Sequence, residues 1–226
     1  MSSIRFEQVA QSFGDRSVLR DINLHLTEHR IGIIGANGSG KSTLVRMING
    51  LVTPTSGTVT VDGQNVAKHA RDVRRKVGFI FTNPDNQIVM PTVQEDVAFT
   101  LRRRGLSAAE IAERTAAALA QFGLSEHAEH PAHRLSGGQK QLLALAAVLV
   151  AEPATIVADE PTTLLDARNA RRISELLQTL PQQVIVVTHH LHLVEEFDRV
   201  IVIDEGAVVA DGAPAESLAA YQTLLA

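Results

Sequence analysis

The sequence contains no cysteine. That excludes a disulfide framework and any thiolate metal site. It has no excess of positive charge: 21 Lys and Arg stand against 25 Asp and Glu, a formal net charge of −4. This balance argues against broad nucleic-acid binding. Long apolar runs are missing too. The longest, Leu142 to Ala151, falls well short of the about 20 residues that a membrane helix needs. The opening Met1-Ser2-Ser3-Ile4-Arg5-Phe6-Glu7 has no apolar core of a secretory signal. The expectation is a cytoplasmic chain whose membrane role, if it has one, comes through partners. No internal repeat, low-complexity tract or obvious linker appears. What remains is a composition 45% hydrophobic and 20% charged over 226 residues. That is enough for one large domain, or a domain with a small subdomain, around an unstapled core.

One stretch organises the rest. Gly35, Ala36, Asn37, Gly38, Ser39, Gly40, Lys41, Ser42 and Thr43 fill the pattern G-x-x-x-x-G-K-[ST]. Ile31-Gly32-Ile33-Ile34 before it reads as a buried strand, and Leu44 to Gly50 after it as a helix ending at a glycine. Strand, glycine loop and helix together make a phosphate site. The glycines let backbone N–H groups point inward, and the helix N-terminus adds the positive end of its dipole. Lys41 supplies a point charge for β- and γ-phosphates, and Ser42 a hydroxyl for Mg²⁺. A chance glycine turn before a lysine would lack these flanks.

Elsewhere the patterning alternates strand and helix. Residues 4–26 show short half-buried β patterns with a turn at Gly14-Asp15, which places Phe13 on a loop. Gly57 to Gly63 and Val77 to Phe81 read as further strands. Thr155 to Ala158, Val184 to Val187 and Val200 to Ile203 are near-continuous apolar runs, as expected of strands covered on both faces. Between them, about 83–151, the pattern turns helical. Thr92-Val93-Gln94-Glu95 and Ser107-Ala108-Ala109-Glu110 fit capping boxes. Ile111, Thr115, Leu119 and Phe122 form one stripe predicted to be buried, and Gly123 ends it. The division expected is a core with a β subdomain, about 1–82 and 152–226, and a helical subdomain, about 83–151.

Further motifs decide the kind of machine. Leu135, Ser136, Gly137, Gly138 and Gln139 open a helix, where a serine and paired glycines make a second anion-binding nest. Asp159 and Glu160 end a buried strand, and Thr188-His189 ends another. In a parallel sheet those strand ends form the ligand crevice.

With these motifs in this order, the whole chain resembles the ATPase (nucleotide-binding) subunit of ABC transporters. The resemblance implies an α/β fold of the P-loop NTPase type: a mixed sheet core, an N-terminal antiparallel β subdomain and a helical signature subdomain. It implies ATP and Mg²⁺ as cofactors. Lys41, Glu160 and His189 would be catalytic: Glu160 the base for the attacking water, His189 the switch histidine at the γ-phosphate. Asp159 would hold Mg²⁺ with Ser42, and Phe13 would stack on adenine. The signature, Leu135 to Gln139, would act in trans across a dimer, with Asp166 at its interface. That dimer would be a homodimer, or a heterodimer with a second ATPase. His190 reads as a surface histidine only.

The chain departs from the family after the 77–81 strand. Thr82 stands where a glutamine is usual; Gln87, five residues on, is a candidate to take its part, though its spacing is not that of the family glutamine. The segment Asn83-Pro84-Asp85-Asn86-Gln87-Ile88, with Thr92 to Phe99, is similar to ATPases of energy-coupling factor (ECF) importers of vitamins or metal ions. The threonine looks similar to biotin-type members. Such a protein would sit at the cytoplasmic face of the membrane with a transmembrane coupling subunit and a substrate-binding membrane subunit, and without nucleic acid. Thr82, Asn83, Asp85 and Gln87 would form the coupling segment. The arginine runs at 71–76, 102–104 and 168–172 read as solvated helix faces; the sharper reading for 102–104 is contact with a membrane subunit or headgroups. The nearer alternative is the ATPase of a classical importer that uses a solute-binding protein, against which Thr82 and the 83–88 segment weigh; a soluble ABC ATPase of DNA repair or the ribosome would usually carry tandem units or a long coiled-coil insertion, and neither is present.

Overall fold

The computed structural model describes residues 2–102 and 104–225; Arg103, part of the 102–104 run, lies outside the described residues. The opening alternation becomes two long antiparallel strands, β1 (Ile4–Phe13) and β2 (Arg16–Leu26). Phe13 is therefore the last residue of a strand, not a loop residue; only Gly14 and Asp15 form the turn. The register shifts near Gln8, which takes φ +49. β4 (Ser56–Val61) pairs with β1, and the two-residue β5 (Gln64–Asn65) folds back on β4. Asp62 and Gly63 turn between them at φ +50 and +75, the both-positive pattern of a tight hairpin. These strands make a four-stranded sheet in the order β2-β1-β4-β5.

The second sheet has six strands: β3 (Arg30–Ile34), β6 (Val77–Ile80), β7 (Thr155–Asp159), β8 (Gln183–Val187), β9 (Arg199–Asp204) and β10 (Ala207–Gly212). Their order is β10-β9-β3-β8-β7-β6, parallel except for the β9–β10 hairpin. The apolar runs split between its faces with period 2. Val157, Ile185, Val187, Ile201 and Ile203 share one core with β1, β2, β4 and α1 (Lys41–Ile48). Ile156, Ala158, Val184, Val186, Val200 and Val202 share the other with the helices. Burial on both sides is why these strands show no polar alternation.

The helices on that face are α3 (Val93–Leu101), α4 (Ala108–Gln121), α5 (Gly137–Leu149), α6 (Ala167–Thr179) and α7 (Pro214–Leu225); α2 (Val66–Lys76) runs into β6 on the other side. Both predicted capping boxes form, Thr92 with Glu95 and Ser107 with Glu110, and Ser136 with Gln139 makes a third at α5. Thr115, Leu119 and Phe122 are buried as expected. Ile111 is only half-buried. Its end of the stripe lines an open groove between α3 and α4 instead of closing on a neighbour. Arg71, Arg74, Arg75, Arg102, Arg104, Arg168, Arg171 and Arg172 are exposed.

Candidate nucleotide site

The glycine loop leaves the end of β3 and is clamped from two sides. A Cβ on Gly35, at φ +147, would lie 2.0 Å from the Ile203 carbonyl oxygen of β9. On Gly40, at φ +107, it would lie 2.7 Å from Leu19 Cδ2 and 2.8 Å from Val18 O of β2. Glycine is required there by close approach as well as by φ. α1 starts at Lys41, so Lys41, Ser42 and Thr43 form its first turn, where backbone N–H groups have no partner within the helix. Lys41 is 5% exposed, and its Nζ donates to Gly35 O and Ala36 O, both at 2.8 Å. Burial pulls its pKa down, and the charges of Glu160 and Asp159 oppose that pull. Ser39 Oγ, in the same loop, is buried without a partner.

Asp159 ends β7 and is fully buried. Ser42 Oγ donates to its Oδ1 at 2.7 Å, and Arg46 Nη2 lies 3.1 Å from its Oδ2. Thr82 Oγ1 donates to its backbone carbonyl at 2.9 Å. Glu160, the next residue, takes φ +52, and its N–H bonds Val187 O of β8 at 2.9 Å. That turn swings its carboxylate away from the one before it. Its Oε2 accepts from Thr163 Oγ1 at 2.9 Å and lies 2.8 Å from His189 Nδ1. Adjacent parallel strands thus bring together two residues far apart in sequence. His190 is not merely a surface residue. It is half-buried, its ring centroid lies 4.1 Å from that of His189, and burial, followed by the neighbouring His189, lowers its pKa.

A cleft of about 350 Å³ opens over the loop, within the range of small-molecule sites. Its walls include Phe13, Arg16, Val18, Lys41, Ser42 and Glu160. Phe13 is 54% exposed at its rim. Arg16 and Arg46 were not anticipated. The only available sign of Arg46 was its position one helical turn after Ser42, which puts both on one face.

The signature residues lie elsewhere; none lines this cleft. Ser136 caps α5, its Oγ accepting from Gln139 N. Leu135 is buried. A Cβ on Gly138 would lie 2.5 Å from Asn169 Cγ, so α5 packs against the first turn of α6. Asp166 caps that turn, accepting from Asn169 N and Nδ2, both at 2.8 Å.

The coupling segment is tightly braced. Asn83 caps the single turn Pro84–Asn86, and Asp85 pairs with Lys140 of α5 at 2.6 Å. Gln87 does not face the carboxylates. Its Oε1 accepts from Phe81 N at 3.2 Å and its Nε2 donates to Ala144 O at 3.1 Å, tying the end of β6 to α5. The buried Asp96 accepts through Oδ1 from Val89 N and Met90 N, at 2.8 and 3.0 Å. Beside this segment the α3–α4 groove encloses about 450 Å³. Among the described residues no helix is long and apolar enough to cross a membrane.

A glycine loop clamped over a parallel sheet, a buried aspartate reaching its serine, and a glutamate paired with a histidine on the next strand define a P-loop nucleoside triphosphatase. The family model described as ABC transporter matches residues 19–163, more than half of the chain. The chain belongs to that family and is an ATPase of the ABC type. Among its relatives, the biotin transport ATP-binding protein BioM of Rhizobium etli is 46% identical over 99% of this chain and 100% of its own length. The energy-coupling factor transporter ATP-binding protein EcfA1 of Caldanaerobacter subterraneus is 46% identical, covering 88% of this chain and 74% of that protein. CbiO1 of Clostridium perfringens, part of the CbiONQ ABC transporter complex, superposes with a TM-score of 0.84 at 33% identity, over 98% of this chain and 92% of that one.

Proposed function

We propose that this protein is the ATP-hydrolysing subunit of an ECF-type importer of a vitamin or transition-metal ion, with biotin the first cargo to test. The observation that carries the reading is the Glu160–His189 contact at 2.8 Å, at the mouth of the cleft above Lys41. Phosphoryl transfer to water needs a positioned nucleophile and neutralised charge more than covalent chemistry. Glu160 accepts the proton of the attacking water. His189 orients Glu160 and reaches for the γ-phosphate. Lys41 exchanges its two loop carbonyls for phosphate oxygens, and Phe13 offers its exposed ring to the adenine. Ser42 Oγ and the Asp159 carboxylate provide hard oxygen donors side by side, the chemistry Mg²⁺ prefers. Bound there with the nucleotide, Mg²⁺ would neutralise phosphate charge.

The relatives named for biotin and energy-coupling-factor transport, together with Thr82 and the 83–88 segment, support the ECF assignment. On this reading the chain sits at the cytoplasmic face of the membrane. It grips the cytoplasmic helices of a transmembrane coupling subunit through the α3–α4 side, and a substrate-binding membrane subunit completes the complex. Glu160→Gln should retain nucleotide binding and lower hydrolysis by about 10²–10⁴-fold, the usual worth of a general base. Steady-state hydrolysis with a parallel nucleotide-binding titration checks it. A wild-type rate in the variant removes Glu160 from the role. Purifying the native complex and identifying its bound small molecule tests the cargo.

A further inference from the structure

Gln139 holds two hydrogen bonds at once. Its Oε1 accepts from the Ser136 N–H at 2.9 Å, and its Nε2 lies 2.9 Å from His127 Nε2. A backbone N–H can only donate, so the first bond fixes the amide: oxygen toward Ser136, NH₂ toward His127. His127 Nε2 must then accept, which leaves the proton of that ring on Nδ1. This Nδ1 lies 3.0 Å from His130 Nδ1. His130 must accept in turn, with its own proton on Nε2. One arrangement of protons satisfies the whole chain, and in it both imidazoles are neutral.

The backbone under the pair is held independently. Val93 N donates to His130 O at 3.2 Å, and Gln94 N to Ala128 O at 3.0 Å, at the start of α3. Other charged groups nearby are engaged elsewhere. Glu129 accepts from Gln94 Nε2 at 2.7 Å, Lys140 pairs with Asp85, Glu95 serves its own capping box, and Asp96 holds the N–H groups of Val89 and Met90. Glu126, His133 and Arg134 are exposed.

We propose that His127 is a positioning residue for the signature segment, held in its working tautomer by His130, so that the placement of Ser136 depends on pH. A proton added at His127 Nε2 would face the NH₂ of Gln139. A proton added at His130 Nδ1 would face the Nδ1–H of His127. Turning the Gln139 amide relieves the first clash but gives up the bond to Ser136 N. The bonded arrangement needs both rings neutral, so a proton added to either imidazole breaks it. The consequence for catalysis rests on the reading of the signature as completing a partner's ATP site. The tautomer assignment does not.

The test has two arms. Nitrogen-15 shifts of labelled imidazoles in the intact chain at pH 8 should place the proton of His127 on Nδ1 and that of His130 on Nε2. A proton on Nε2 of His127 overturns the proposal. The second arm measures ATP-driven dimerisation in a Glu160→Gln background at pH 8 and pH 5.5. His127→Gln offers an amide oxygen that accepts from Gln139 at either pH. It should match its parent at pH 8 and dimerise at about 5-fold lower ATP at pH 5.5, the worth of one hydrogen bond of about 1 kcal/mol. His127→Leu should be about 5-fold weaker than its parent at pH 8. His189 and the nucleotide phosphate are common to every variant, so neither separates one variant from another. If His127→Gln follows its parent's pH profile, the pair has no role in placing Ser136. If the parent itself does not dimerise with ATP, the catalytic consequence falls with the functional reading, and the nitrogen shifts still decide the tautomer.

Discussion

Asp96 is nearly fully buried, and burial raises its carboxyl pKa against the pull of the two N–H bonds it accepts. A raised folded-state value means the folded chain holds this proton more tightly than the unfolded one. The contribution of Asp96 to stability therefore falls as pH rises from the ordinary carboxyl range through the raised value, and stays low above it. Both N–H groups reach the same oxygen, Oδ1, so an asparagine can accept both without burying a charge. Asp96→Asn should hold or raise stability at pH 7 and flatten this part of the pH dependence. Asp96→Ala should cost about 1–3 kcal/mol by orphaning two donors. Denaturant midpoints between about pH 4 and pH 7 check both; an Asp96→Asn protein as unstable as Asp96→Ala would mean the charge itself is needed. Residues of this kind show how unevenly a sequence discloses a site. Lys41 was legible because its partners in the phosphate loop are local, and Ser42 because it stands next to Lys41 in the same motif. Arg46 was not, because its bond to Asp159 spans 113 positions and no local pattern records it.

At the scale of elements, the strands were legible where both faces are covered, since apolar runs such as Val184 to Val187 allow no other place. Helix starts were legible because capping boxes are local chemistry. The β1–β2 hairpin was harder. The irregularity at Gln8 breaks the alternation, so two long strands looked like short pieces and Phe13 like a loop residue. Ile111 fitted a buried period because periodicity reports a face and says nothing of whether a neighbour covers it. The turn between β6 and α3 shows what the spacing of Gln87 concealed: its amide is spent on Phe81 N and Ala144 O, joining the strand end to the signature helix. Asp85→Arg with Gln87→Ala removes that brace and sets a cation against Lys140. Transport in the assembled complex should fall by about tenfold or more, the loss of one to two braces of about 1 kcal/mol each. Hydrolysis by the isolated subunit should stay within about threefold, because neither side chain touches the phosphate loop. Paired transport and hydrolysis assays decide. Hydrolysis falling as far as with Glu160→Gln would move Gln87 into the catalytic machinery.

At the scale of the molecule, one chain carries a phosphate loop and a capped Ser136-Gly137-Gly138 turn, yet no signature residue lines the phosphate cleft. The two cannot serve one nucleotide within one copy as folded. α5 is packed against α6 through Gly138 and Asn169 and braced to the coupling turn through Lys140 and Ala144. Swinging the signature over its own loop would break that packing. A second copy can supply the missing donors. In a head-to-tail pair each loop would face the other's signature, the two halves would be identical by symmetry, and two nucleotides would be enclosed. Exposed residues then gain a purpose. Leu164, 61% exposed beside Glu160 and Asp166, has apolar surface to bury across such an interface, and the exposed Phe13 stands at the rim of the cleft. Hydrolysis would release the γ-phosphate that both halves hold, so a variant that binds but does not hydrolyse should trap the pair. Glu160→Gln is expected to run as a dimer by light scattering with saturating Mg-ATP, and as a monomer with Mg-ADP. Ser136→Arg, which sets a bulky side chain in the turn that would face a partner's phosphates, should abolish that dimer and leave ATP binding to the monomer within about threefold, since no signature residue lines the cleft of its own chain. Loss of monomer binding in Ser136→Arg would place the signature at its own chain's nucleotide, and a Glu160→Gln protein that stays monomeric with saturating Mg-ATP would remove the split site altogether.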